Sequence, residues 1–173
     1  MDKGRVIIMN MRTGIGYDMH QLVKGEKLII GGIEVPSSSG SLGHSDGDCL
    51  IHSIVDAILG ATALGDIGVL FPSTNDQYKD ISSEYFLLNV NRRINDLGFE
   101  INNLDSTIII QKPKLQKYIS KIKNNLRKSL QLKEDQISVK ATTTDSLGVI
   151  GEGRGWAAQA VVTILKKDVS FNN

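Results

Sequence analysis

The sequence predicts an α+β fold, a mixed β-sheet with helices packed on one face. Three observations carry this. Short apolar or alternating runs read as strands at 12–18, 28–35, 105–111, 137–144 and 156–166. Apolar residues recur at helical spacing from about 48 onward, over 82–97 and over 114–132. The two kinds of segment interleave without an internal repeat, which suits helices laid over a sheet.

At 173 residues, the length fits one domain. Residues 1–10 read as an N-terminal extension ahead of a second Met at position 11, and 11–173 as the single domain. Lys plus Arg is 20 and Asp plus Glu is 19, a formal charge of +1, which argues against a nucleic-acid backbone or an anionic membrane as main partner. No apolar run approaches the ~18 residues of a membrane span. The lone cysteine, Cys49, excludes an intrachain disulfide and an all-cysteine metal site, and reads as a small buried residue.

Taken in order, the second strand, Leu28 to Val35, is stopped by Pro36, and a Gly/Ser-rich connection follows over 36–47. The first helix carries Leu50, Ile51, Ile54, Val55, Ile58 and Leu59, with Ser45 or Asp46 as its cap. Residues 63–81 read as loop. The second helix, capped by Ser82 or Ser83, ends at Gly98. Thr107–Ile110 reads as a strand buried on both faces. The third helix sets Leu115, Ile119, Ile122, Leu126 and Leu130 on one side and its lysines and Arg127 on a solvated side. Small residues of the last strand (Ala157, Ala158, Ala160) suit close packing against another sheet or subunit.

All three histidines fall within 18–66. Asp18 and His20, two apart in a strand, point to the same side with Cα atoms ~6.5 Å apart and can converge on one ion. His44 and His52 would be separated by ~12 Å if helical, so His52 is placed on the ion and His44 outside it. One carboxylate and two imidazoles leave a fourth position open, as in catalytic zinc sites. Packed or surface histidines are the alternative. Asp56, one turn after His52, reads equally as a carboxylate orienting that imidazole or as an ordinary helix charge.

Two further stretches suit phosphate. Gly43-His44-Ser45-Asp46-Gly47-Asp48 precedes a helix N-terminus, where free N–H groups favour an anion. Lys140-Ala141-Thr142-Thr143-Thr144-Asp145 ends a strand in three hydroxyls and a carboxylate, a set able to hold phosphate oxygens and a hard divalent cation. Each is also an ordinary cap or strand end.

Gly14-Ile15-Gly16-Tyr17-Asp18-Met19-His20, Leu28 to Gly32, His44 to Asp48 with His52, Ala63 to Gly68 with Phe71-Pro72, Gln111 to Lys114, and Lys140 to Asp145 run in order with compatible spacing. Together, over about 11–167, they resemble the 2-C-methyl-D-erythritol 2,4-cyclodiphosphate synthase family of the non-mevalonate isoprenoid pathway. The resemblance implies a lyase that cyclises 4-diphosphocytidyl-2-C-methyl-D-erythritol 2-phosphate and releases CMP. It implies a homotrimer with sheets facing the central axis and sites between subunits, in a bacterial cytoplasm or a plastid stroma. Zn2+, one per subunit at the interface, falls to Asp18, His20 and His52, and a second cation, Mg2+ or Mn2+, to Asp145. His44 and Thr143 take catalytic roles. Ser45, Asp66, Ile67, Gly68, Phe71, Lys112, Pro113, Lys114, Leu115, Ala141, Thr142, Thr143 and Thr144 take substrate contacts. An isoprenoid diphosphate in the axial cavity is a further implied ligand. Against the family pattern, Asp145 replaces Glu, Ser73 replaces an acid, Val149 replaces Phe, and Gly151-Glu152-Gly153-Arg154-Gly155 reverses the usual charge order. A zinc hydrolase and a non-catalytic binder of a cytidine or prenyl diphosphate are the rival readings.

Overall fold

The computed structural model describes residues 10–166, so the expected extension, apart from residue 10, and positions 167–173 of the expected domain lie outside the described residues. Strands β1 (Met11–Lys24), β2 (Ile29–Ile30), β3 (Ile33–Glu34) and β4 (Ser39–Ser41) precede helix α1 (Cys49–Thr62) and the one-turn α2 (Ile67–Leu70). Then come α3 (Ser83–Asp96), β5 (Phe99–Ile109), α4 (Ile119–Leu130), β6 (Ile137–Thr142), the one-turn α5 (Gly148–Gly151) and β7 (Gly155–Lys166). Five strands form a mixed sheet in the order β4-β1-β7-β5-β6, antiparallel except for the β5–β6 pair. That parallel pair is bridged by α4, as a parallel connection requires.

The helices cover one face. Helix α1 is buried nearly all round, because it lies on the sheet and beneath α3. On α4, Ile122, Leu126 and Leu130 are buried, while Lys121 and Lys128 stay exposed, as the spacing predicts. The opposite face of the sheet is uncovered among the described residues, with Ile15, Tyr17, Met19 and Val161 exposed upon it.

Several expectations need correction. The run 28–35 is not one strand but a tight hairpin: Ile30 pairs with Ile33 around Gly31 and Gly32, both at positive φ. That geometry is cheap only for glycine-like residues. Strand β1 runs on past 18 because β7 pairs with it as far as Gln21 and β4 takes over at Leu22. Strand β5 begins at Phe99, not 105. A bulge between Ile101 and Asn103 leaves Asn102 and Asn103 both exposed, which breaks the period-2 pattern. It is buried on one face only, through Ser106 and Ile108, while Thr107 and Ile109 are half-buried. Helix α4 starts at Ile119 instead of 114, after a turn closed from the Tyr118 N–H to the Leu115 carbonyl at 2.7 Å. The cap of α1 is Asp48, whose carboxylate accepts from the Ile51 N–H at 3.1 Å, not Ser45 or Asp46. Ala158 and Ala160 lie opposite Asp18 and Gly16 on the face that α1 covers, so their small size serves a helix, not another sheet.

Candidate active site and metal centre

The site begins with two glycines. On β1, Gly14, Gly16, Asp18 and His20 alternate onto the face that meets α1. A Cβ on Gly14 would lie 2.0 Å from the Ala57 carbonyl oxygen, and one on Gly16 would lie 2.0 Å from that of Ser53. Their missing side chains let the helix backbone settle directly on the strand. His52, the residue before Ser53, is thereby brought to the next two positions along the same strand face.

There Asp18 meets both imidazoles. Its Oδ2 is 2.9 Å from His52 Nδ1 and 3.0 Å from His20 Nε2. The Nδ1 of His20 is hydrogen bonded to the Leu42 carbonyl at 2.9 Å, which turns Nε2 inward. Burial alone would push the Asp18 carboxyl up, but hydrogen bonds from His20 and His52 hold it well below the usual carboxylate range. His20 is raised from its ordinary value chiefly by its hydrogen bond to Asp18. One ligand atom from each of the three residues lies within 4.8 Å of the others, the one such group among the described residues. One carboxylate oxygen and two imidazole nitrogens form the donor set of an open zinc-type site, so these residues fit a divalent transition metal.

His44, Ser45, Ile67, Gly68 and Phe71 join His20 and His52 around a cavity of about 210 Å3. Ser73, Tyr78 and Phe86 complete the lining, and the residue pattern gives no site role to any of them. Phe86 stacks on Phe71 with ring centres 4.7 Å apart, which closes the apolar wall. Asp66 is exposed and caps α2 through the Val69 N–H at 2.9 Å. Asp56 accepts from the Ile67 N–H at 2.8 Å and so ties α2 to α1, while both ring nitrogens of His52 have other partners. Burial raises its carboxyl.

The far nitrogen of His52 has another partner. Nε2 lies 2.9 Å from Ser83 Oγ and 3.2 Å from Ser45 Oγ. The sequence offers Ser83 only as a helix cap, a role that Ser82 fills through the Glu84 N–H at 3.3 Å.

The second half of the expected site stands apart. Pro113, Lys114, Leu115, Ala141, Thr142 and Thr143 line a cavity of about 340 Å3 at the ends of β5 and β6. Lys112 lines an adjoining depression with Ser37 and Ser38. Thr144 turns its hydroxyl to the Leu147 carbonyl at 2.8 Å. Asp145 is exposed, accepts from the Thr143 hydroxyl at 3.3 Å, and does not join the Asp18 group. Among the described residues the two cavities share no lining residue.

Residues 11–165 match the YgbB family. The chain belongs to the YgbB family. A relative named 2-C-methyl-D-erythritol 2,4-cyclodiphosphate synthase, from Alkaliphilus metalliredigens, is 51% identical over 154 residues, 89% of this chain and 97% of the relative. One of the same name from Finegoldia magna is 52% identical over 159 residues, 92% of this chain and 100% of the relative. Among solved structures, the bifunctional IspDF of Campylobacter jejuni superposes with a TM-score of 0.89 at 38% identity, over 92% of this chain and 43% of that longer one. The Plasmodium falciparum IspF complex with CDP superposes with a TM-score of 0.80 at 37% identity, over 91% and 97%. The YgbB fold is thus the mixed sheet and helix layer described above. No helix among the described residues is long and apolar enough to cross a membrane.

Proposed function

We propose that this YgbB chain works as a zinc-dependent, trimeric 2-C-methyl-D-erythritol 2,4-cyclodiphosphate synthase. The reaction converts 4-diphosphocytidyl-2-C-methyl-D-erythritol 2-phosphate to the cyclodiphosphate and CMP. An oxygen of the 2-phosphate bonds to the β-phosphorus as the bond from that phosphorus to the bridging oxygen breaks. CMP leaves with the bridging oxygen. The observation that carries the reading is the convergence of Asp18, His20 and His52 beside a cavity that His44 and Ser45 also line.

A phosphate monoester has its second pKa near ~6, so no side chain has to take a proton from it at neutral pH. The obstacles are repulsion between anions and closure of the ring. Zinc on Asp18, His20 and His52, with Mg2+ or Mn2+ on Asp145, supplies the positive charge that polarises the diphosphate when bound. His44 and Ser45 hold the 2-phosphate. Asp66 and Gly68 take sugar hydroxyls, with Ile67 and Phe71 beside them. Thr142 and Thr143 place hydroxyls on the diphosphate, between Ala141 and Thr144. The cavity of Pro113, Lys114 and Leu115, with Lys112 at its edge, takes the cytosine; a homologous structure with CDP supports a nucleotide ligand. Holding both reacting ends in register can supply part of the ~7–11 kcal/mol available from positioning.

The homotrimer rests on two supports. The open sheet face carries exposed Ile15, Tyr17, Met19 and Val161, the apolar surface that a second copy would cover. The metal half and the nucleotide half are separate cavities, and packing between copies would join them. Glu152 pairs with Arg154 Nε at 2.7 Å, so an isoprenoid diphosphate in the axial cavity would have to compete with Glu152 for that guanidinium. Bacterial relatives favour a cytoplasmic setting over a plastid one.

Incubation with substrate, Zn2+ and Mg2+, followed by mass spectrometry, tests the reading. CMP and the cyclic product in equal amounts are expected. Inorganic phosphate would indicate a zinc hydrolase, and binding without CMP release a non-catalytic pocket.

A further inference from the structure

Ser83 is fully buried at the first position of α3, and its hydroxyl stands between two groups of fixed character. On one side is the carboxylate of Asp46, from the loop that precedes α1. Its Oδ2 accepts from the Ser83 N–H at 3.0 Å, and its Oδ1 accepts from the Ser83 hydroxyl over a shorter contact. On the other side is His52 Nε2, 2.9 Å from the same hydroxyl oxygen. Asp46 Oδ1 also accepts from the Asp48 N–H at 3.3 Å, so the carboxylate is anchored at both oxygens.

An ionised carboxylate only accepts hydrogen bonds, and a serine hydroxyl has a single proton to give. That proton goes to Asp46. The Ser83 oxygen therefore faces His52 as an acceptor, and Nε2 must carry the hydrogen. Nδ1, which without a metal gives a hydrogen to Asp18 Oδ2 at 2.9 Å, is then the nitrogen that would turn its lone pair to a metal held in that hydrogen's place.

We infer that Ser83, held by Asp46, is a positioning residue that selects the metal-binding tautomer of His52 and fixes its ring. The inference rests on the proposed zinc site and deepens it. It acts through His52 and requires no contact with substrate. Carboxylate-backed partners of this kind orient metal-ligating imidazoles and raise their basicity. Ser45 Oγ, at 3.2 Å from Nε2, is the weaker partner and lines the substrate cavity. Ser83 is not among the residues lining that cavity. Asp46 and Ser83 also tie the loop after β4 to the start of α3, so the same contacts set where His52 can point.

The test is zinc affinity, read by competition with a chromophoric chelator, together with the visible spectrum of the cobalt-substituted protein. Ser83→Ala should weaken zinc binding roughly 10–100-fold and shift the cobalt bands. Ser83→Thr, which keeps the oxygen, should restore both toward the native values. Asp46→Asn can place an amide N–H against Ser83 and turn the hydroxyl proton toward His52; weakened zinc binding is again expected, and this variant carries the test if Ser83→Ala does not fold. Native zinc affinity and cobalt bands in the folded variants would overturn the inference while leaving the zinc site intact. A native chain that binds no zinc would overturn both.

Discussion

Gly16 lies so close beneath Ser53 that a Cβ on the glycine would sit 2.0 Å from the serine carbonyl oxygen. The contact sets the height of α1 above β1, and with it the reach of His52 toward Asp18. Gly16→Ala should therefore lift the helix. A loss of about 1–3 kcal/mol in stability is expected from urea denaturation, the usual cost of forcing added atoms into a packed site. Zinc binding should weaken in the same variant, because the ligand from α1 moves away from the two on β1.

The ligand assignment separates the histidines. His52→Ala should lose most bound zinc, measured by elemental analysis after gel filtration. His44→Ala should keep its zinc and lose turnover, since His44 lines the cavity without joining the Asp18 group. Equal loss of metal in both variants would contradict the assignment.

These two predictions mark what was legible in the chain. The Asp18, His20 and His52 group follows from period-2 alternation in a strand and a histidine early in a helix, both local features. Ser83 was not legible in that role. Its hydroxyl reaches His52 across 31 residues of chain, and a serine before a helix looks like a cap wherever it occurs. The start of strand β5 is hidden in the sequence because its bulge at Asn102 puts two exposed residues in succession, which disguises the alternation. The helices α2 and α5 are single turns, too short for any periodicity to mark them. The hairpin at Gly31 and Gly32 was visible as two glycines but lay inside an otherwise continuous apolar run.

Asp48 makes the pH dependence of folding specific. It is fully buried; its carboxylate accepts from the Gly32 N–H at 2.7 Å and the Ile51 N–H at 3.1 Å, yet burial pushes it up to about 6. The native state therefore keeps a proton that the unfolded chain has released, across the interval from about 4 to about 6. In that interval this group's contribution falls as pH rises, by as much as ~3 kcal/mol. Asp48→Asn cannot titrate. The stability of the native chain relative to this variant should decline between pH 4 and pH 6.5 and level off above it, read from denaturation of metal-free protein. A difference that stays flat or grows with pH would contradict the sign.

Separate half-sites make complementation possible. The variants His52→Ala and Thr143→Ala should each be nearly inactive. Coexpressed in equal amounts, they should form mixed trimers with roughly a quarter of native activity, because one interface in four pairs two intact halves. Activity no greater than that of the parent variants would place both halves of the working site within one chain.

The central claim is that Asp18, His20 and His52 hold one zinc ion, and anomalous diffraction at the zinc edge tests it most directly. Crystals grown with zinc should give one strong peak per chain, bonded to Asp18 Oδ2, His20 Nε2 and His52 Nδ1 at ~2.0–2.2 Å. A strong peak elsewhere with none among these three atoms, or one that persists there in His52→Ala, would contradict it.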